Sequence, residues 1–285
     1  MPQNFDTLLR ETGILILPGA HDALSARIAV KSGAQAVYMT GFGVAGASFG
    51  VPDIGLVSAE QMIERVRSIA TAIAPAPLIA DGDNGHGGPL NVARLVHAYE
   101  HAGAQCIQLE DQVSPKRCGH IDGKEVVPLE EAAAKIRAAV DARNSPSFKV
   151  MARTDARATH DMDEALRRAE AFLKAGADIL FIEAPRSEDE MQRVAKTFAG
   201  TPLVANLVED GKTPILPPAL LRQMGYKIAL YPISALLAAS ANYEQVYARL
   251  LGRRIDQRER VTFAEYNEIV GLPDLFATAQ KLETS

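Results

Sequence analysis

The chain has 285 residues, 47% of them hydrophobic, 23% charged and 6% aromatic, and carries a formal net charge of -5. That composition fits a folded globular protein, and the mixing of acidic with basic residues excludes the basic footprint of a nucleic-acid or anionic-membrane binder. The two cysteines, Cys106 and Cys118, cannot build a disulfide framework and lack zinc-site spacing. No basic-then-apolar leader opens the chain and no apolar run approaches the ~20 residues that cross a bilayer, so a cytoplasmic protein is expected.

Short apolar or β-branched runs alternate with stretches of helical period, as in a parallel sheet whose strands are buried on both faces. The runs are Ile14 to Leu17, Ala36 to Met39, Pro77 to Ala80, Gln105 to Leu109, Phe148 to Ala152, Asp178 to Ile182, Pro202 to Ala205 and Lys227 to Tyr231. Amphipathic segments between them include Ala59 to Thr71, Leu90 to His101, Leu129 to Ala142, Met162 to Lys174 and Glu188 to Thr197. This alternation predicts an α/β chain, a (β/α)8 barrel forming one domain over residues 1–285.

A weak repeat supports the register. Lys31-Ser-Gly-Ala, His101-Ala-Gly-Ala and Lys174-Ala-Gly-Ala each place a glycine where a helix should stop. Seven residues beyond Gly33, Gly103 and Gly176 stand Thr40, Glu110 and Glu183, at the strand ends that carry the chemistry of barrel enzymes. After the eighth strand, residues 235–285 form a helical extension: Ala235 to Leu251, a charged stretch Arg253 to Arg260, and Phe263 to Leu272. A terminal helix of this kind packs on a neighbouring subunit or caps its own barrel; the first alternative predicts an oligomer.

Polar residues collect at the strand ends. Asp81-Gly-Asp83-Asn-Gly follows the third strand, Glu110-Asp-Gln the fourth, Arg153-Thr-Asp the fifth, Glu183 the sixth and Asn206 the seventh. In a closed barrel Asp81, Asp83 and Glu110 share one small volume and repel unless a cation sits among them. All-oxygen donors favour Mg2+, with Mn2+ as the alternative ion; the competing reading of Asp-Gly-Asp is an ordinary turn. Arg153 is shaped to hold a carboxylate in two parallel hydrogen bonds, or else pairs internally with Glu183 or Asp155. Thr40-Gly41-Phe42-Gly43 is a glycine-bearing loop whose N–H groups can approach an anion. Residues 111 to 128 are long for a strand-to-helix loop and read as a lid. Cys118 lies there beside Arg117, a cationic setting expected to lower its pKa, though a surface cysteine without a role reads the same way. Cys106, inside the fourth strand, reads as filling.

Together Tyr38-Met-Thr-Gly-Phe-Gly, Gly50-Val-Pro-Asp53, Asp81-Gly-Asp-Asn-Gly, Gly88-Pro-Leu-Asn-Val, Glu110-Asp-Gln, Lys116-Arg-Cys-Gly-His120, Ala152-Arg-Thr-Asp-Ala, Glu183-Ala-Pro, Asn206 and Gly211-Lys-Thr-Pro resemble the isocitrate lyase and phosphoenolpyruvate mutase superfamily over nearly the whole chain. The resemblance implies a homotetramer that exchanges its last helix between subunits. It implies Mg2+ held directly by Asp81 and through water by Asp53, Asp83 and Glu110. It also assigns Cys118 as general acid, with His120, Glu183 and Arg153 in the catalytic set. Thr40, Gly41, Phe42, Lys116, Gly119, Arg153 and Asn206 would bind a dicarboxylate substrate. Mutases of the family carry other residues in that lid, so Cys118 favours a carbon-carbon lyase.

Within the family the chain is similar to the group of 2,3-dimethylmalate lyase, petal death protein and 2-methylisocitrate lyase. Two arginines that hold a third carboxylate in methylisocitrate lyases align with Leu237 and Phe263. The expected reaction is therefore cleavage of a substituted malate such as 2,3-dimethylmalate, or of oxaloacetate hydrate, to a keto acid or oxalate and a short carboxylate. The alternatives are 2-methylisocitrate cleavage to pyruvate and succinate, a phosphonate-forming mutase, and a non-catalytic dicarboxylate-binding barrel.

Overall fold

The computed structural model describes residues 4–11, 13–119, 123–254 and 257–283. Every apolar run forms a strand: β1 Leu15–Ala20, β2 Val37–Met39, β3 Leu78–Asp81, β4 Cys106–Glu110, β5 Lys149–Thr154, β6 Ile179–Ile182, β7 Val204–Asn206 and β8 Ile228–Tyr231. The strands pair in parallel in the order β6-β5-β4-β3-β2-β1-β8-β7. A parallel bridge between Leu180 and Leu203, with the Leu180 N–H donating to the Pro202 carbonyl at 3.0 Å, joins β6 to β7 and closes the (β/α)8 barrel.

β1 runs to Ala20 rather than ending at Leu17. Pro18 has no N–H for a ladder and argues locally for an earlier stop, yet Gly19 and Ala20 pair with Tyr38 and Met39. Gly33, Gly103 and Gly176 follow helix ends with φ of +102°, +99° and +99°, as the repeat predicts.

The helices Ala59–Ile73, Pro89–His101, Leu129–Ala142, Met162–Lys174 and Glu188–Thr197 lie where the period places them, within two residues at any end. Ser58, Asp161 and Ser187 cap three of them by accepting N3 backbone hydrogen bonds. In Ala59–Ile73, Met62, Val66, Ile69 and Ile73 form the buried stripe, at a spacing of three to four residues. Burying each such side chain contributes about 1.5–3 kcal/mol, so the stripe, more than helix propensity, holds the element down.

Inside the barrel, Leu15, Leu17, Ile79, Cys106, Met151, Phe181 and Ile228 form one packed cluster, joined from below by Phe5, Leu8 and Leu9 of the helix Phe5–Glu11. The Phe5 N–H donates to the Gln105 side-chain oxygen at 2.8 Å, fixing that plug. Cys106 is wholly buried, and burial pushes its thiol pKa well up, which suits a filling role. The amino-terminal mouth is thus sealed, and polar side chains gather at the other.

Beyond β8 come the helices Ser234–Leu250, Phe263–Ile269 and Leu272–Glu283. The expected segment Phe263 to Leu272 is helical only to Ile269, because Gly271, at φ +76°, breaks the helix, and a further helix starts at Leu272. Phe263 and Tyr266 fold back over the open mouth against Phe42.

Candidate active site

Strand register creates the first neighbours: Glu110 pairs with Arg153 across β4 and β5, and Arg153 with Phe181 across β5 and β6. Thr40, Phe42, Asp53, Asp81, Glu110, Lys116, Cys118, Gly119, Arg153, Glu183 and Asn206 line one cavity at the carboxyl ends of the strands, with about 50 Å³ of free space. Asp83 faces an adjoining cleft of about 460 Å³, which it shares with Lys116. His120 lies outside the described residues.

Asp53, Asp81 and Glu110 line this cavity with Asp83 beside it, and a cation of the chain stands among them. Lys116, carried by the lid, is buried and ion-paired with Asp53 and, at 2.7 Å, with Asp83. Sequence reasoning assigned this lysine to substrate. Burial works against its ammonium, but Asp53, Asp83, Glu110 and Asp81 outweigh that and hold its pKa well above the ordinary lysine value. Asp81 accepts the N–H groups of Gly41 and Asp83, each at 3.1 Å. Behind it, the Tyr99 hydroxyl donates to the Asp81 carbonyl at 2.8 Å and Lys135 to the Asn84 carbonyl at 3.3 Å, so two helices clamp the loop.

The Thr40-Gly41-Phe42-Gly43 stretch is the first turn of the helix Gly41–Phe49, capped by Thr40, rather than an open loop. Its Gly41 N–H is directed at a protein carboxylate. A Cβ on Gly41 would sit 2.8 Å from Asp81 Oδ2, so only glycine permits this approach.

Arg153 is not a lone guanidinium. Its Nε and Nη2 donate to the two Asp155 oxygens at 3.0 Å each, and it lies 3.4 Å from Glu110 and 3.3 Å from Glu183. The internal pairing weighed for it is the one observed, because Asp155, two residues on, presents the matching fork. Arg153 still borders the cavity. Glu183 accepts from the Asn206 amide at 3.0 Å and from the Ala184 N–H at 2.9 Å. That bond orients Asn206 and leaves its buried Oδ1 without a hydrogen-bond partner.

Cys118 is half-buried, its N–H donating to the Asp53 carbonyl at 3.1 Å and its side chain packing against a cluster of Phe42, Val208, Ile233, Leu237 and Tyr266. A Cβ on Gly119 would lie 2.3 Å from Arg153 Nη2, so glycine lets the lid descend onto the guanidinium. The other wall is apolar: Phe42 and Phe263 stack with centroids 5.4 Å apart, and Phe42 meets Tyr266 at 5.1 Å. Leu237 is wholly buried behind them.

Two residues of the frame, Asp111 and Arg168, were given no role in the sequence reading. Asp111 accepts from Thr154 at 2.7 Å, from the Asp155 N–H at 2.9 Å and from Arg168 at 3.1 Å, and so fixes the Asp155 that fixes Arg153. Adjacency to Glu110 is the signal that could have found Asp111. Arg168, on a helix, carries no such signal.

The donor set fits a hydrated hard cation. Glu110 Oε1 is buried without a hydrogen-bond partner. Burial, then Asp83, pushes the Asp81 pKa up to about 6, and burial raises that of Glu110 well above the carboxylate range. A further positive charge would relieve both. Among the described residues no three His, Cys, Asp or Glu side chains form a ready-made cage.

Residues 5–251 match the phosphoenolpyruvate phosphomutase family. The chain is 46% identical over 268 residues to 2,3-dimethylmalate lyase of Eubacterium barkeri, covering 93% of this chain and 92% of that one. It is 39% identical over 279 residues to the petal death protein of Dianthus caryophyllus, covering 97% and 87%. Among solved structures, oxaloacetate acetylhydrolase in complex with 3,3-difluorooxalacetate superposes with a TM-score of 0.84 at 34% identity, covering 98% of this chain and 96% of that one. The barrel, the acidic mouth and the extent of these matches agree: the chain belongs to the phosphoenolpyruvate phosphomutase family, within the wider superfamily that also holds isocitrate lyase.

Proposed function

We propose that the protein is a Mg2+-dependent carbon-carbon lyase acting on a substituted malate such as 2,3-dimethylmalate, or on hydrated oxaloacetate. One observation carries this reading: a thiol, Cys118, lies over a cavity with a carboxylate cluster on one side and the stacked Phe42 and Phe263 on the other. The polar side suits the two carboxylates and hydroxyl of a malate, and the aromatic side suits alkyl substituents. The positions where methylisocitrate lyases carry the two arginines for a third carboxylate are Leu237 and Phe263 here, so a third carboxylate would lack those partners, and burying it unpaired costs several kcal/mol.

Asp81, with Asp53, Asp83 and Glu110 around it, would hold the ion, which supplies electrophilic stabilisation for negative charge developing on a substrate oxygen. Arg153, oriented by Asp155, would meet one carboxylate with the guanidinium edge that borders the cavity. Asn206, turned by Glu183, would offer its unpartnered Oδ1 to a substrate O–H. As the C2–C3 bond breaks, the C2 hydroxyl proton would pass to a carboxylate of the acidic cluster and C2 become a carbonyl, while the bond pair stays on C3 and takes a proton from the Cys118 thiol, leaving a thiolate. Lid closure keeps water from competing for that carbon.

A mutase with the same cradle needs no thiol acid, and Cys118→Ser discriminates: the lyase loses most turnover, a mutase little. The chain is further proposed to work in the cytoplasm as a homotetramer with the 235–285 extension swapped. Supporting this are Tyr243, Tyr247, Leu250 and Leu251, each more than half exposed on or next to the helix Ser234–Leu250. No described helix is long and apolar enough to cross a membrane. The function is tested by incubating the protein with Mg2+ and alkylmalates, and assaying keto acid.

A further inference from the structure

The lid stands on a small base. Its outgoing and returning arms pair through Gln112 and Val126, with the Val113 N–H donating to the Glu125 carbonyl and the Val127 N–H to the Asp111 carbonyl, each at 2.9 Å. From this base two side chains reach the segment that bears Cys118. Gln112 grips Arg117, accepting from its N–H at 2.9 Å and donating to its carbonyl at 2.8 Å. Lys124, on the returning arm, donates its ammonium to the carbonyl of Gly119. The residues on either side of the cysteine are therefore both held from the base.

The two grips differ in kind. Gln112 is neutral and touches only the lid in these contacts. The Lys124 ammonium is almost wholly buried and also lies 3.5 Å from Asp155 Oδ1, on a carboxylate that is itself wholly buried. The same Asp155 oxygen accepts from Arg153 Nη2 at 3.0 Å. One carboxylate thus receives the guanidinium at the substrate cavity and the ammonium that holds the backbone beside the thiol. Burying a lysine for stability alone is a poor choice, since an apolar side chain of similar volume often does as well or better. A link between two parts of a site is a use that only the charge can serve.

We propose that Lys124 is a positioning residue that ties Cys118 to the Arg153–Asp155 pair, setting the thiol over the cavity while that pair is in place. The thiol's role rests on the lyase reading above; its placement by Lys124 does not. The tie places no demand on substrate affinity, so its loss should be felt in turnover and in the mobility of the lid.

The test uses the full chain and reads Cys118 directly. Cys106 is fully buried, so alkylation by iodoacetamide in the native protein reports Cys118. In Lys124→Met, alkylation is expected to accelerate about tenfold or more as the lid comes loose. Removing a positive charge does not increase the thiolate fraction of a cysteine, so acceleration has to come from exposure. With a malate that is turned over, kcat should fall at least tenfold while KM stays within a factor of three, and Lys124→Arg should recover most of both. Lys124→Gln, which can still reach the carbonyl but carries no charge for Asp155, serves in place of the methionine variant should that one not fold. Alkylation within twofold of the parent in the uncharged variants, with a lowered melting temperature only, overturns the proposal and leaves Lys124 a staple. If the parent protein turns over no malate, the lyase reading fails while the alkylation comparison still decides the clamp.

Discussion

Lys116 places its ammonium 2.7 Å from Asp83 Oδ1, both side chains buried, so a residue of the lid supplies positive charge to the acidic cluster at the barrel mouth. Removing one partner of such a pair leaves the other uncompensated and costs about 3–5 kcal/mol. Lys116→Met should therefore melt well below the parent without divalent ion. Mg2+ should restore more of the loss than it adds to the parent, because it relieves acids the parent has already neutralised. Thermal melts of both proteins with and without Mg2+ check this; equal ion-induced shifts would show that the lysine and the ion do not share those carboxylates.

Cys118 packs among apolar side chains and differs from serine by one atom, so Cys118→Ser should leave folding and substrate affinity close to the parent's. Positioned proton transfer contributes about 10²–10⁴-fold to rate, and kcat should fall within that range. Steady-state kinetics decides: an unchanged kcat would remove the thiol from the chemistry.

Gly41 is expected to tolerate no side chain. The 2.8 Å contact that a Cβ would make with Asp81 Oδ2 forces the helix start or the carboxylate to move. Overpacking of this kind costs about 1–3 kcal/mol. Gly41→Ala should bind Mn2+ more weakly than the parent by calorimetric titration, and parental affinity would mean that Asp81 does not set the ion's position.

The helix that seats Phe263 over Phe42 is held at its start by charge. The Thr262 N–H, Arg258 and the Thr262 hydroxyl together hold the Glu265 pKa down at about 2. A carboxylate whose pKa is lower folded than unfolded stabilises the fold at pH values above its ordinary range near 4.5, and that stabilisation is lost as pH falls from there toward 2. Glu265→Gln should therefore melt below the parent at pH 7, and the gap should close as pH approaches 2. Melting curves across that range whose separation stays constant would contradict the assignment.

What could be read from the sequence follows from how local each cause is. All eight strands and the barrel class were legible, because a buried parallel strand is a short apolar run and each repeat glycine sits where a helix must stop. The end of β1 was not, since pairing with β2 outweighed the local signal of Pro18. Asp81, Asp83, Glu110, Arg153, Glu183 and Asn206 were singled out by position at or after a strand end, and the structure gathers them at one mouth of the barrel. What the sequence could not reveal was which charges would meet: that Lys116 turns in toward Asp53 and Asp83, and that Asp155, only one of the partners weighed for Arg153, takes both forks of it. Those pairings depend on how the lid folds back and on side-chain direction, neither of which has a sequence period. The aromatic wall was hidden for the same reason, as Phe42 and Phe263 are joined only by the path of the chain after β8.

The most direct measurement is the Mg2+-dependent release of keto acid from a panel holding 2,3-dimethylmalate, other alkylmalates, oxaloacetate and 2-methylisocitrate. The alkylmalates or oxaloacetate should be cleaved, in the case of oxaloacetate with oxalate released, and activity should disappear with chelator and return with added Mg2+. Turnover of 2-methylisocitrate should be slower by about a hundredfold or more, as an unpaired buried carboxylate requires. Rapid cleavage of 2-methylisocitrate, or no cleavage of any compound with the ion present, would contradict a two-carboxylate lyase site.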